Sequence, residues 1–236
     1  MKVRIKFTKE GPMKFVGHLD TMRYFQKAIR RAGLPIAFSG GYSPHMIMSF
    51  AAPLGVGITS LGEYFDMELT TVLPTDEIAR RLDEEMVEGV RVLSAVQVED
   101  GKASKAMSLV AAADYLVTFR EGRAPKGVLE ELVAGFLSQK EILVTKETKK
   151  GEKQVDIRPC IYEMRAYPEG GIFLCLASAS ANYTKPEAVM ESFFAWMGEE
   201  APPFAWMVER REVYGDLGKE GEHSFVSLEA LGKRVE

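Results

Sequence analysis

KVRIKFT (residues 2–8) and HLDTMRYFQKAIRRAG (residues 18–33) stand close together near the start of the chain. In the first, Val3, Ile5 and Phe7 alternate with Lys2, Arg4 and Lys6, the two-residue period of a strand with one buried face. In the second, Leu19, Met22, Phe25, Ile29 and Ala32 recur at steps of three and four, the apolar stripe of a helix over 18–32. Gly33 and Pro35 end that helix. Beyond it, residues 36–57 are rich in Gly, Ser and Pro, with a short strand near Met46 to Phe50. Residues 63–69 alternate again, Phe65, Met67 and Leu69 against Tyr64, Asp66 and Glu68. A second helix starts at Thr75 with Ile78, Leu82 and Met86 on one face, and residues 90–98 read as a Val-rich strand. The order β-α-β-β-α-β predicts a ferredoxin-like unit over residues 1–100.

Residues 100–112 read as a linker, after which the pattern repeats. A strand over 113–120 leads to a helix over 125–138 carrying Val128, Leu132 and Phe136. Strands are expected near 141–147, 157–166 and 171–178, then a helix opened by Pro186 with Val189, Phe193 and Trp196, and a last strand near 204–213. The predicted class is α+β, with two tandem ferredoxin-like (βαββαβ) units. The second unit covers 111–214 and has one extra strand; residues 215–236 form a polar, weakly ordered tail.

Composition narrows the function classes. The 236 residues are 46% hydrophobic and 27% charged, which excludes disorder throughout. Thirty basic against 34 acidic residues give a net charge of -4, which argues against coating nucleic acid over the whole surface. No apolar run of about 18 residues exists, and MKVRIKFTKE lacks a signal-peptide core, so no membrane partner is expected. Cys160 and Cys175 fit neither a disulfide scaffold nor a zinc or iron–sulfur site, and a reducing cytoplasm is the expected location. Stock motifs for phosphate loops, serine nucleophile elbows and zinc proteases are missing, and no metal or cofactor is expected.

The charge is unevenly spread: +7 over residues 1–60, from nine Lys/Arg and two acids, and -7 over residues 61–99, from three Lys/Arg and ten acids. Either one side of the surface binds anions, or the two segments neutralise each other when packed. Within the basic segment, Arg23, Lys27, Arg30 and Arg31 share one helical face, a pattern suited to a phosphate backbone or to solvent. Lys2, Arg4 and Lys6 fall across from Asp66 and Glu68 if the first and third strands pair, as exposed pairs worth a few tenths of a kcal/mol each. The loop Gly40-Gly41-Tyr42-Ser43-Pro44-His45 has glycines that permit close ligand approach, and Tyr42 is placed to stack on a base or cover a sheet edge. His18 and His45 suit general acid–base cleavage of RNA without a metal, or simply packing and loop fixation. Asp20 and Thr21 read as helix caps, and Asp83, Glu84, Glu85 and Glu88 as a solvated face.

Residues 14–35 and 40–69 together resemble the uncharacterised bacterial radical SAM-associated protein family. The likeness rests on His18-Leu19-Asp20, Arg30-Arg31-Ala32-Gly33, Gly41-Tyr42-Ser43-Pro44-His45, Pro53-Leu54-Gly55 and Glu63-Tyr64-Phe65-Asp66. Val155-Asp156-Ile157-Arg158-Pro159 and Lys185-Pro186-Glu187 extend it. Tyr42 and Ser43 stand where the family has Phe and Asn, and Met46 and Ile47 where Pro-Lys is commoner, which removes a cation from the loop. The resemblance implies a stand-alone form of a domain often fused C-terminal to a radical SAM protein, in a genetic setting of ribosomal proteins and an RNase E/G-type nuclease. It implies a non-catalytic partner of a radical SAM enzyme that presents tRNA or rRNA. Arg23, Lys27, Arg30, Arg31, Gly40, Gly41 and Tyr42 would then meet the RNA. The alternatives are an endoribonuclease using His18 and His45, and an interaction module that binds no RNA.

Overall fold

A computed structural model describes every residue except 102, 103, 149, 150 and 220. The strands are β1 (Lys2–Lys9), β2 (Met48–Phe50), β3 (Thr59–Glu68), β4 (Val92–Gln97), β5 (Val110–Phe119), β6 (Leu143–Thr148), β7 (Gly151–Asp156), β8 (Ile161–Tyr167), β9 (Gly171–Ala177), β10 (Trp206–Asp216) and β11 (Phe225–Ser227). The helices are α1 (His18–Arg31), α2 (Thr75–Asp83), α3 (Ala106–Leu109), α4 (Leu129–Leu137) and α5 (Pro186–Trp196). The class is α+β with mostly antiparallel strands, and no helix among the described residues is long and apolar enough to cross a membrane. The chain divides into two units, Met1–Ala111 with Arg210–Glu236, and Ala112–Glu209.

In the first unit, alternation in β1 meets alternation in β3. The register sets Lys2 opposite Glu68, Arg4 opposite Asp66 and Phe7 opposite Glu63, in antiparallel order. Strand β4 lies on the other edge of β1, and β2 pairs with the C-terminal end of β3. Val3, Ile5, Phe7, Phe65 and Met67 therefore point to one face, where they meet Phe25, Ala28 and Ile29 of α1 and Ile78 and Leu82 of α2. Four phenylalanines sit at its centre: Phe7 to Phe25 is 4.7 Å between ring centroids, Phe25 to Phe65 is 4.9 Å and Phe50 to Phe65 is 5.3 Å. Leu19, expected in the stripe of α1, is exposed, because the helix turns Thr21, Phe25, Ala28 and Ile29 to the sheet instead.

The opposite face of this sheet is covered too. Arg4 and Asp66 are buried beneath Ser104–Ala106 and Leu228. Lys6 pairs with Glu212 at 2.7 Å and Glu229 at 3.1 Å. The expected polar tail is thus part of the first unit: β11 pairs with β10, Leu228 is fully buried, and Val235 bonds to Thr75. The boundary expected at 214/215 moves to 209/210. The expected linker over 100–112 instead contains α3, with Ala106 buried, and the start of β5; residues 102 and 103 lie outside the described residues. Gly62 lets β3 approach β10: a Cβ there would meet the Arg211 carbonyl oxygen at 2.8 Å. Gly62→Ala should cost about 1–3 kcal/mol in urea unfolding, as an overpacked contact against backbone does; a loss below the error of the fit would refute that tight contact.

In the second unit, β5, β9 and β8 pair in that order. The strand expected near 141–147 is β6, and it pairs with β7 in a hairpin. The lysine-rich stretch KETKKGEK (residues 146–153), where the sequence leads one to expect a hairpin turn marked by Gly151, includes residues 149 and 150, which lie outside the described residues. Strand β8 starts at Ile161 because Pro159 holds a 3-10 turn over Arg158–Cys160. Phe136 of α4 packs edge-on against Phe193 of α5 at 5.3 Å, whereas Val128 is the exposed residue before α4 and not part of its core face. Cys175 is buried, and burial with Asp114 beside it holds its thiol well above the ordinary range, an inert apolar role.

Candidate functional site

The cationic face of α1 divides into held and open side chains. Arg31 Nε lies 2.7 Å from Glu85 Oε2, and its NH2 donates to the Glu85 carbonyl at 2.9 Å. Arg23 pairs with Asp20 at 3.1 Å in full solvent. Lys27 and Arg30 are exposed and, among the described residues, meet no acid. Part of the +7 against -7 segregation therefore cancels within the unit, through Arg4–Asp66 and Arg31–Glu85. The acidic run is likewise engaged rather than merely solvated: Asp83 binds Arg91 and the Val92 amide, and Glu84 pairs with Arg80. Asp20 and Thr21 do not cap α1. Its N-cap is Gly17 without a side-chain bond, and Thr21 Oγ1 donates back to the Gly17 carbonyl at 3.0 Å.

The Gly40–His45 loop is closed at its base. Ser39 Oγ lies 2.8 Å from His45 Nδ1 and accepts from the His45 amide at 3.1 Å, and the Ser39 amide donates to the His45 carbonyl at 2.9 Å. Bridges Ile36–Leu69 and Phe38–Met46 continue the sheet up to that base. Gly41 has φ +98°, a left-handed conformation that favours glycine, while nothing crowds Gly40. Tyr42 stands fully in solvent at the loop tip and covers no sheet edge. At the foot of the loop a cavity of about 220 Å³ is lined by His45 with Lys2, Lys105, Glu68 and Met48.

His18 lies elsewhere. Its ring packs edge-on against Phe50 at 5.2 Å and lines a second cavity, of about 10 Å³, with Lys9, Thr21 and Glu63. The extended run from His45 to Phe50 spans on the order of 15 Å, and the two imidazoles line different cavities. Behind the small cavity is a buried charge cluster. Lys9 is 3% exposed and Nζ donates to the Val16 carbonyl at 2.6 Å. Glu63 Oε1 lies 3.3 Å from Arg210 Nε, and Arg210 NH1 donates to the Ala52 carbonyl at 3.1 Å. Burial raises the Glu63 pKa against the pull of Arg210, Ser60 and Lys9. Burial also lowers that of Lys9, with Arg210 adding to the effect and Glu63 opposing it. Such clusters in a cavity are where functional groups gather.

Sequence reasoning missed this cluster. The signal was available: Lys9 continues the phase of Val3, Ile5 and Phe7, and Glu63 that of Phe65 and Met67. Arg210, far along the chain, gave no such sign. In the second unit, a groove of about 630 Å³ between β6 and α5 is lined by Leu143, Lys146, Tyr183, Lys185 and Glu191. No group of three or more His, Cys, Asp or Glu suited to a metal ion occurs among the described residues.

A family model described as "Uncharacterized protein conserved in bacteria (DUF2344)" matches residues 2–186. The chain belongs to the DUF2344 family. The match takes in β1, the basic face of α1, the Gly40–His45 loop and Glu63, and stops before Arg210. The family description carries no activity. Comparison with curated proteins returns no match. Among solved structures, the DUF2344 chain is similar to one described as "Crystal Structure of a Cbf5-Nop10-Gar1 Complex", at TM-score 0.46 and 11% identity, over 89% of this chain and 48% of that one. It therefore spans about half the length of that matched chain.

Proposed function

We propose that this protein is an RNA-binding partner of a radical SAM enzyme in tRNA or rRNA modification, located in the cytoplasm and without catalysis of its own. The observation that carries the reading is the open pair Lys27 and Arg30 on α1. Two cations one turn apart, with no acid against them, attract a polyanion. Arg23 joins them, since its solvent-exposed pair with Asp20 is weak and yields to a phosphate. Tyr42 offers a stacking face at the tip of a loop whose base is fixed. The radical SAM partner comes from the sequence resemblance. The reading takes both halves as ferredoxin-like, and the order β4-β1-β3-β2 of the first unit supports it for that half. Separate cavities for His18 and His45 give the endoribonuclease reading no support.

The test is filter binding to tRNA and rRNA fragments over a salt series. Lys27→Glu with Arg30→Glu should weaken binding about tenfold or more at low salt. The slope of log K against log salt should flatten by about 1.4, two single-strand phosphate contacts at about 0.7 each. Arg31→Gln should change affinity little, because Glu85 already holds that guanidinium. Unchanged affinity and slope in the double variant would end the RNA reading and favour a protein-interaction module.

A further inference from the structure

Strands β6 and β7 make a sheet of two strands, separate from the larger sheet. Such a ribbon is marginal by itself, and a third strand is what stabilises it. The ladder runs from Leu143–Asp156 to Thr148–Gly151 without a bulge. The Ile157 amide donates to the Ile142 carbonyl at 2.8 Å, so Ile142 turns its carbonyl toward β7. Backbone direction alternates along an antiparallel strand, so Val144 and Lys146 bond to β7. Leu143 and Thr145 then turn N–H and C=O to the other edge, where no backbone bond meets them among the described residues. Their side chains are exposed as well.

The groove of about 630 Å³ runs along this strand. Consecutive residues Leu143 to Lys146 form one wall, and Ala188, Ser192 and Ala195 of α5 the other. Those three fall at steps of four and three, on one helical face, and their small side chains leave room beside β6. Four residues of β6 span roughly 13 Å, and Ala188 to Ala195 rises about 10 Å, so the two walls match in length. The Lys146 ammonium donates to the Tyr183 carbonyl at 3.0 Å, which brings that end of β6 to the start of α5. Lys185 is exposed there, and no acid pairs with Lys146 or Lys185 among the described residues. Lys153 stands directly opposite Lys146 in the ladder, a repulsive arrangement that an acid alongside would relieve. Glu191 lines the groove farther along α5.

We propose that β6 takes up an extended, acidic segment of a protein partner as a third strand, seated against α5. The outward backbone groups of Leu143 and Thr145 pair with the segment, as in strand addition to an exposed sheet edge. An Asp or Glu side chain of the segment settles between Lys146 and Lys185. Its small or β-branched residues alternate into the groove over Ala188 and Ala195. A second copy of the chain fits worse, because it brings further lysines to an edge that is already cationic. An RNA strand would use the cations but not the row of backbone groups. The proposal is independent of the RNA-binding reading, since the groove lies in the second unit and Lys27 and Arg30 in the first.

The probe comes from panning a displayed library of random nonapeptides on the full chain. The enriched sequences should alternate β-branched residues and carry Asp or Glu toward one end. A synthetic peptide of that sequence is then followed by fluorescence anisotropy. N-methylation of its alternate amides that face β6 should weaken binding about tenfold or more, and so should replacing its acid by lysine. Thr145→Pro should lose about tenfold or more, because it deletes an outward N–H and leaves the β7 ladder intact. Ala188→Phe fills the groove from α5 and should lose as much, which keeps the test should Thr145→Pro disturb the hairpin. Lys185→Glu should weaken the acidic peptide and strengthen its lysine counterpart. Lys27→Glu with Arg30→Glu should leave peptide binding unchanged, whatever it does to RNA. No enriched peptide, or equal binding of the N-methylated one, would overturn strand addition. RNA affinity lost in Lys185→Glu but kept in Thr145→Pro, with RNA displacing the peptide, would give the groove to RNA instead. A dimer in sedimentation that Thr145→Pro dissociates would give the edge to a second copy.

Discussion

Asp66→Ala should lower the unfolding free energy by about 3–5 kcal/mol, the usual cost of removing one partner of a buried ion pair. Arg4 is 1% exposed and Asp66 3%. Nε and NH2 of Arg4 reach the two carboxylate oxygens at 2.8 and 3.2 Å, a forked geometry. Two further donors go to the Leu228 carbonyl at 3.0 Å and the Ser104 carbonyl at 2.8 Å. Asp66 also accepts from the Ala106 amide at 2.7 Å. Alanine would leave a guanidinium buried without its counter-charge and an amide without its acceptor. Asp66→Asn keeps the shape and one acceptor and should cost less. Replacing the pair together, Arg4→Met with Asp66→Leu, should recover much of the loss, because no unpaired charge then remains. Urea unfolding followed by circular dichroism measures all three. A loss under 1 kcal/mol for Asp66→Ala would mean that water reaches the pair.

That network marks how far the sequence carries. Alternation in residues 2–8 and 63–69 was enough to set Lys2, Arg4 and Lys6 on the same face as Asp66 and Glu68 once the two strands pair, and the register then puts Arg4 opposite Asp66. It was not enough to set the energy. A strand pattern tells which face a residue shares, not what covers the face. The cover here comes from Ser104–Ala106 and from Leu228, segments with no strong period of their own. They read as linker and tail because their apolar contacts come singly: one Ala106, one Leu228. Long-range packing of isolated residues leaves no local signature.

The candidate sites divide in the same way. The spacing of Arg23, Lys27, Arg30 and Arg31 placed them on one face of α1, but which of them Glu85 would hold depends on how α2 lies beside α1. The loop around Tyr42 was visible from its glycines and proline, whereas the cavity at its foot needs Lys2 from β1 and Lys105 from the turn before α3. His45 was assigned two readings, acid–base chemistry and loop fixation, and its contacts with Ser39 support the second. His18 packs on Phe50, as a bland reading of a lone histidine expects.

The largest pH-dependent effect should come from Arg210→Leu. Glu63 and Arg210 are both buried, and Glu63 already titrates above its ordinary value of 4.5 because burial outweighs the guanidinium beside it. A folded pKa above the unfolded one means the native chain holds more protons between the two values. Stability attributable to Glu63 is therefore greatest below pH 4.5 and falls as pH rises through the folded pKa. Without Arg210, the folded pKa rises further and the window widens upward. Toward the acid end of that window Glu63 is protonated more readily, and the loss is mainly that of the Ala52 hydrogen bond and packing, about 1–2 kcal/mol. At pH 8 the carboxylate must either ionise without its partner or bind a proton against solution, and the loss should reach about 3–5 kcal/mol. Lys9 titrates in the opposite sense, its lowered pKa adding stability as pH rises toward 10.5. Because Lys9 is present in every variant, a comparison across Glu63→Gln largely separates the two. Glu63→Gln with Arg210→Leu should show a nearly flat difference between pH 5 and 8, while Arg210→Leu alone should be steep. A pH-independent loss in the single variant would show that Glu63 stays neutral in the folded chain with or without its arginine.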